Sequence, residues 1–231
     1  MKKDKKIVKE MFDDIAPKYD FLNHFLSFGI DKIWRRKAVK MLKELQPKHV
    51  LDVATGTGDF AIQINKDLGA KVTGIDISVG MLEMGKIKIK NLNLESQISL
   101  EEGDSTNLVF EDNTFDALTV AFGVRNFEDL PKGLKEMNRV IKPAAKAVIL
   151  EFSKPTLFPF KQLYTFYSKY ILPVLGGMFS KNKNAYTYLP ESVKAFPDGD
   201  KFLDIMSEAG FNNCKKRILT LGIVTIYTGI K

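Results

Sequence analysis

Three carboxylates stand at or near the ends of successive apolar runs, with the spacing of a nucleotide-cofactor site. In LDVATGTGDFA, Leu51 to Ala61, the run Val50–Val53 carries Asp52 and stops at a turn holding Gly56, Thr57 and Gly58; a helical pattern starts at Asp59. In VTGIDIS, Val72 to Ser78, a second run ends in Asp76, 18 residues after Gly58. In EEGDSTNLVF, Glu101 to Phe110, a third leads to Asp104 and Ser105. Glycines let the backbone turn sharply and approach a ligand closely. Asp76 is placed to accept both ribose hydroxyls, and Asp104 with the Ser105 amide to read an adenine edge.

Gly56, Gly58 and Ala61 also fit G-x-G-x-x-A, the fingerprint of a nicotinamide-dependent oxidoreductase. Asp52 weighs against that cofactor, because a carboxylate beside a pyrophosphate repels its two charges. S-adenosyl-L-methionine has no phosphate and carries an ammonium and a sulfonium, which tolerate an acid. The competing reading is that Asp52 and Asp104 merely cap turns or helices. Three acids at successive strand ends favour the S-adenosylmethionine site, read here as Asp52, Gly56, Thr57, Gly58, Asp76, Asp104 and Ser105.

The elements that must position these residues alternate. Strand patterns at Val50–Val53, Lys71–Ile75, Ile98–Glu101, Phe115–Phe122 and Ala147–Phe152 are interleaved with helical ones from Asp59, from Ser78 to about Asn91 and near Pro131–Ile141. Such alternation predicts an α/β fold: a mostly parallel sheet with helices on both faces and ligands at the carboxyl ends of the strands. Residues 211–219 and 222–230 are expected to form an antiparallel pair at the sheet edge, after a helix near Gly199–Ala209. Ahead of the sheet, Ile7, Val8, Met11, Phe12 and Ile15 recur at helical spacing until Pro17, and another helix is expected to run to about Leu45. The whole, 1–231, reads as one domain with an N-terminal helical cap, 1–46, and a helical insert, 153–197. The insert is rich in aromatics, from Phe158, Phe160, Tyr164, Phe166, Tyr167 and Tyr170 to Ile171, Leu172, Val174, Leu175, Met178 and Phe179. It is either a helical pair closing its own small core, or an apolar cover over a hydrophobic substrate and a patch for a membrane.

A chain of 231 residues with 45% hydrophobic and 27% charged residues is globular. Its net charge of +7 suits nucleic acid, anionic lipid or plain solubility. Cys214 is the lone cysteine, which excludes disulfides within the chain. With only His24 and His49 beside it, no His/Cys zinc site is expected, and no metal. His49 is expected to be structural or exposed, and His24 at the surface or in the core rather than a base. No apolar run approaches the roughly 20 residues that span a bilayer. The first residues lack a secretory core, so a cytoplasmic protein is expected. An N-P-P-[YF] motif, the tetrapeptide of exocyclic-amine nucleic-acid methyltransferases, is missing, and Cys214 sits in no context suited to attack on a pyrimidine.

Four further stretches resemble the ubiquinone/menaquinone C-methyltransferase family over nearly the whole length. They are FDDIAPKYDFLNHFLSFGIDKIWR (Phe12 to Arg35), DALTVAFGVRNFED (Asp116 to Asp129), LEFSKP (Leu150 to Pro155) and YLPESVKAFPDGDKF (Tyr188 to Phe202). The resemblance implies the class I methyltransferase (Rossmann-like) fold, a seven-stranded, mostly parallel sheet with an antiparallel edge strand. It implies methyl transfer from S-adenosylmethionine to a ring carbon of a polyprenylated quinol. Demethylmenaquinol is the favoured acceptor and the benzoquinol precursor of ubiquinone the alternative. The family's cofactor positions fall on Thr57, Asp76, Asp104 and Ser105. The chain departs at Ala54-Thr55, at Ala121, where Ser is common, and at Lys142-Pro143-Ala144-Ala145, where K-P-G-G is common, so that this turn is expected to do without positive φ.

For the implied reaction the catalytic set is Arg125, Asn126, Tyr19 and Asn23. A quinol ring carbon becomes nucleophilic when its hydroxyl ionises. Arg125, a permanent cation, would lower the hydroxyl's pKa, and Asn126 would orient its oxygen or a bridging water. Tyr19 and Asn23 would close over the ring. The competing role for Arg125 is a salt bridge to Glu128 or Asp129. The expected partners are the polyprenylated quinol and, peripherally, the inner face of the cell membrane, with no nucleic acid; a homodimer is left open. A small-molecule or RNA methyltransferase and a non-enzymatic S-adenosylmethionine-binding protein are the remaining alternatives.

Overall fold

The computed structural model describes residues 4–167, 170 and 183–231, without the side chains of 183–187. The chain opens with α1 (Lys5–Ile15), where Asp4 caps the helix by accepting from the Lys6 amide and Val8 and Met11 face inward. Pro17 ends it in a short 3₁₀ turn, and α2 (Tyr19–Leu26) and α3 (Ile30–Lys40) follow. The helix expected to reach Leu45 stops at Lys40 and tightens into a 3₁₀ turn over Lys43–Leu45.

The alternation then unfolds as expected: β1 (His49–Val53), α4 (Asp59–Leu68), β2 (Lys71–Asp76), α5 (Val79–Asn91), β3 (Ile98–Glu102), β4 (Phe115–Ala121), α6 (Leu130–Val140) and β5 (Ile141–Phe152). Past β5 come α7 (Phe160–Phe166), α8 (Lys183–Ala195), α9 (Asp200–Glu208), β6 (Asn212–Leu219) and β7 (Val224–Ile230). The seven strands lie in the order β3-β2-β1-β4-β5-β7-β6. β1 to β5 are parallel, and β7 runs against both β5 and β6. The reversed strand is therefore β7, one place in from the edge that β6 forms. Strand order reverses between β1 and β4, which opens a crevice at their carboxyl ends.

Helices cover both faces, so β1 and β4 bury nearly every side chain. One core packs α6 and α9 against the sheet around Leu118, Leu134, Met137 and Phe202, and the other packs α3, α4 and α5 around Val50, Ile64 and Leu82. One expectation fails locally. Ala144 lies at φ 63°, so the Lys142–Ala145 turn keeps positive φ without a glycine. Hydrogen bonds between the Ala144 amide and the Lys231 carbonyl, and between the Lys231 amide and the Ala145 carbonyl, hold it there. In the insert, α7 buries no side chain among the described residues, and Leu163 and Phe166 stand more than half exposed. The expected apolar residues from Ile171 to Phe179 lie outside the described residues.

Candidate active site

A cavity opens at the carboxyl ends of β1, β2 and β4. Gly56, Asp76, Asp104, Ser105, Phe122 and Asn126 are among its lining residues. Its loops are built with strain: Ala54 at the end of β1 and Phe122 at the end of β4 both take left-handed φ, 53° and 58°. A Cβ at Gly123 would come within 2.5 Å of the Ala54 Cβ, so only glycine lets these two loops meet. Gly56, also left-handed at φ 58°, turns its N–H onto Asp76 Oδ2 at 2.8 Å, while the Ser78 N–H reaches Oδ1 at 2.9 Å. Burial still pushes the Asp76 carboxyl above its usual range.

Asp76, Gly56, Asp104 and Ser105 thus come together. Asp52, Thr57 and Gly58 do not. Asp52 is fully buried behind the glycine turn and accepts from Thr55 Oγ1 at 2.7 Å and Thr119 Oγ1 at 2.6 Å. Its carboxylate braces the turn and is not among the residues that line the cavity. Burial pushes it up to about 6, against the two threonine hydroxyls. Thr57 points the other way, donating to Asp20 Oδ1 at 2.5 Å and accepting from Lys88 Nζ at 3.2 Å. Gly58 serves as the left-handed residue before α4. Asp104 lines the cavity, and its Oδ1 also caps a turn, as the competing reading expected, by accepting from the Thr106 amide and hydroxyl.

The N-terminal helices fasten onto all three strand-end loops. Lys5 pairs with Asp104 at 2.6 Å, Asp13 accepts from Ser78 Oγ and Gly80 N at 2.6 and 2.9 Å, and Asp20 takes the Thr57 hydroxyl and Lys88. Behind Asp20, Asp59 pairs with Lys88 at 2.5 Å and Arg35 at 3.7 Å, and Arg35 pairs with Asp31. His24, half-buried, joins this network through Asp31 at 2.8 Å. The ligand-like trio His24, Asp31 and Asp59 is thus already engaged by two cations. His49 is structural, bonded to Thr73 and set edge-on to Phe115.

A second cavity, of about 320 Å³ and mostly apolar, lies between α1, α2, α3 and the α7–α8 side. Trp34, Phe122 and Phe152 form an aromatic floor with ring centroids 4.5 to 6.4 Å apart. Tyr167 ties the insert to the N-terminal helices by donating to the Leu26 carbonyl at 2.9 Å. Phe12, Tyr19 and Phe122 line both cavities, so the two meet there. Tyr19 lies over Gly56, edge-on to Phe12, and its hydroxyl is hydrogen-bonded by Asn23. Burial pushes that hydroxyl above its usual pKa.

Arg125 lines the second cavity, buried, on the 3₁₀ turn Val124–Asn126 after β4. Its Nη1 pairs with Glu151 at 2.9 Å and also reaches the Phe122 carbonyl, with the guanidinium over the Phe152 ring at 5.4 Å. Its Nε–H is buried with no partner among the described residues. The salt bridge is real, but its acid is Glu151 rather than Glu128 or Asp129. Asn126 lines the first cavity, and its Oδ1 accepts from Tyr188 Oη at 3.0 Å.

Glu151, Asp13, Asp20, Trp34 and Tyr188 are functional neighbours that the motif reading did not assign. Glu151 carried a signal: an acid inside the apolar strand AVILEF must find a buried partner. The acids of α1 and α2 carried none, because surface acids on amphipathic helices are ordinary.

The model of the ubiE/COQ5 methyltransferase family matches residues 1–231. A demethylmenaquinone methyltransferase of Bacteroides fragilis is 52% identical over 225 residues, covering 97% of this chain and 92% of its own length. A ubiquinone/menaquinone biosynthesis C-methyltransferase UbiE of Geotalea daltonii is 50% identical over 226 residues, covering 97% and 96%. Among solved structures, a SAM-dependent methyltransferase of Thermotoga maritima superimposes with TM-score 0.66 at 17% identity, covering 96% of this chain and 99% of that one. One from Aquifex aeolicus gives 0.58 at 22% identity, covering 84% and 88%. At these identities the solved structures speak for the fold alone.

Proposed function

The chain belongs to the ubiE/COQ5 methyltransferase family and is an S-adenosylmethionine-dependent methyltransferase, and from that premise we propose that it methylates a ring carbon of a polyprenylated quinol, demethylmenaquinol ahead of the benzoquinol precursor of ubiquinone. The observation that carries this is the pair of cavities: one at the strand ends lined by Asp76, Asp104 and Glu128, and a larger, mostly apolar one, sharing Phe12, Tyr19 and Phe122. A methyl donor in the first and an aromatic acceptor in the second would face each other across Tyr19.

The strand-end cavity suits a cofactor without phosphates. Asp76, Asp104 and Glu128 line it, while Lys5 is the one cation among its described lining residues and is already paired with Asp104. A pyrophosphate would meet repulsion there, which argues against the dinucleotide reading. Asp76 and Gly56 would hold the ribose side, and Asp104 and Ser105 the adenine side. When bound, S-adenosylmethionine supplies an electrophilic methyl on its sulfonium.

The chain's own part is to make the acceptor carbon nucleophilic and to aim it. Arg125 would hold a cation beside the quinol hydroxyl and so favour the phenolate. Asn126 would bind the same oxygen. Tyr19, braced by Asn23, would press the ring toward the first cavity and keep water from it. The ring carbon then carries both methyl and hydrogen, and the proton leaves to water as aromaticity returns. We further assign 1–46 and 153–197 as cap and insert of a single domain, with the exposed aromatic rim around the second cavity touching the membrane that holds the prenyl tail.

Methyl transfer from labelled S-adenosylmethionine to chemically reduced demethylmenaquinol, run beside the benzoquinol precursor and bulk tRNA, tests this. Label in demethylmenaquinol is the expected result. No label in either quinol from protein that binds S-adenosylmethionine would overturn the proposal, and label in tRNA would replace it.

A further inference from the structure

We propose that Tyr188 is a positioning residue that fixes the polarity of the Asn126 amide, so that Asn126 meets the acceptor oxygen as a hydrogen-bond donor. The inference rests on the quinol reading above and adds a residue to it. Asn126 ends the 3₁₀ turn Val124–Asn126, where its own N–H is taken by the Gly123 carbonyl at 2.9 Å, so its backbone is fixed. Its side chain has two chemically opposite ends. The carbonyl end is engaged: Oδ1 accepts from Tyr188 Oη at 3.0 Å, across 62 residues of sequence. The amide nitrogen makes no hydrogen bond to a described residue.

The place of this bond matters. Asn126 lines the cofactor-side cavity and Tyr188 lines the apolar one, so the bond spans the junction where the reacting carbon must lie. A phenolate there is stabilised by a donor and opposed by a carbonyl oxygen. With the hydroxyl in place, rotating the amide by half a turn would break an existing bond and aim Oδ1 at the developing charge. Without it, both orientations are open. Burial raises the Tyr188 hydroxyl's pKa, which keeps its proton in place as the donor. The ring of Tyr188 packs beside Met11 and Leu22, so removing the hydroxyl alone leaves the packing.

Tyr188→Phe is the test, read in single turnovers with reduced demethylmenaquinol so that slow variants remain measurable. The expected result is a loss in the methyl-transfer rate of about 10-fold or more, with the acceptor's KM, the dissociation constant for S-adenosylmethionine and the melting temperature little changed. In an Asn126→Ala background the same substitution is expected to change nothing further, because the group it orients is gone. A Tyr188→Phe rate within twofold of wild type, or an equal fold-loss with and without Asn126, overturns the inference. If the wild-type protein binds S-adenosylmethionine but leaves the quinol unmethylated, the quinol reading fails first and takes this inference with it; that outcome is seen in the wild-type arm alone.

Discussion

Asp52 and Glu151 are both fully buried acids, and they solve burial in opposite ways. Asp52 has only hydroxyl partners, so its folded pKa rises to about 6 from an ordinary 3.8. The sign follows: the folded state is favoured while the group is protonated, below about 4, and loses up to about 3 kcal/mol as pH climbs through about 6. Asp52→Asn should remove that loss. Its stability advantage over wild type should grow between pH 4 and 7 in denaturant melts and then level off. Its S-adenosylmethionine affinity should stay within about threefold, since the carboxylate is fully buried and is not among the residues lining the cavity. Glu151 instead pairs with the buried Arg125 guanidinium through Nη1. Glu151→Gln leaves a buried guanidinium without its counter-charge and should cost about 3 kcal/mol, lowering Tm by roughly 6–12 °C in thermal melts.

At the scale of elements, the three strand-end turns were legible because glycine and acid spacing is a local property of the chain. Residues at 56, 76, 104 and 105 line one cavity. Thr57 does not line it, because its hydroxyl is turned to Asp20 in α2, 37 residues away, and no local pattern encodes that contact. The same distance hid the fastening of the N-terminal helices, whose acids read as ordinary solvent-facing charges. Ala144 was misread for a different reason: glycine is the usual left-handed residue, yet two hydrogen bonds to the final residue, Lys231, hold an alanine in that conformation. Asp13 tests the fastening. Its carboxyl is held below its usual pKa against burial by the Ser78 hydroxyl, Lys9 and the Gly80 amide. Asp13→Ala should speed amide hydrogen exchange across α1 and weaken S-adenosylmethionine binding about fivefold by calorimetric titration, roughly 1 kcal/mol.

Over the whole molecule, charge and apolar exposure act together. The chain carries +7, and Phe21, Phe25, Phe28, Phe158 and Phe166 stand between 42% and 82% exposed on α2, on α7 and in the loops beside them. No helix among the described residues is long and apolar enough to cross a membrane. Attachment to a surface is what such a rim offers. Binding to vesicles containing anionic lipid should be measurable by flotation at low salt and fade as salt rises. Phe21→Ser combined with Phe158→Ser, two exposed rings that line neither cavity, should weaken it without touching the rate on a tail-less quinol. Binding unchanged by the pair would detach the rim from that role.

Phe28 is both a wall of the apolar cavity and one of the most exposed aromatics, so the cavity's mouth is part of the rim itself. For the proposed acceptor this changes the variable that governs turnover. With the rim seated on lipid as proposed, a prenylated quinol would arrive by lateral diffusion rather than from bulk water, and what the enzyme would meet is its mole fraction among lipids. Adding inert lipid at constant total quinol should then slow the reaction by surface dilution, as though substrate had been taken away.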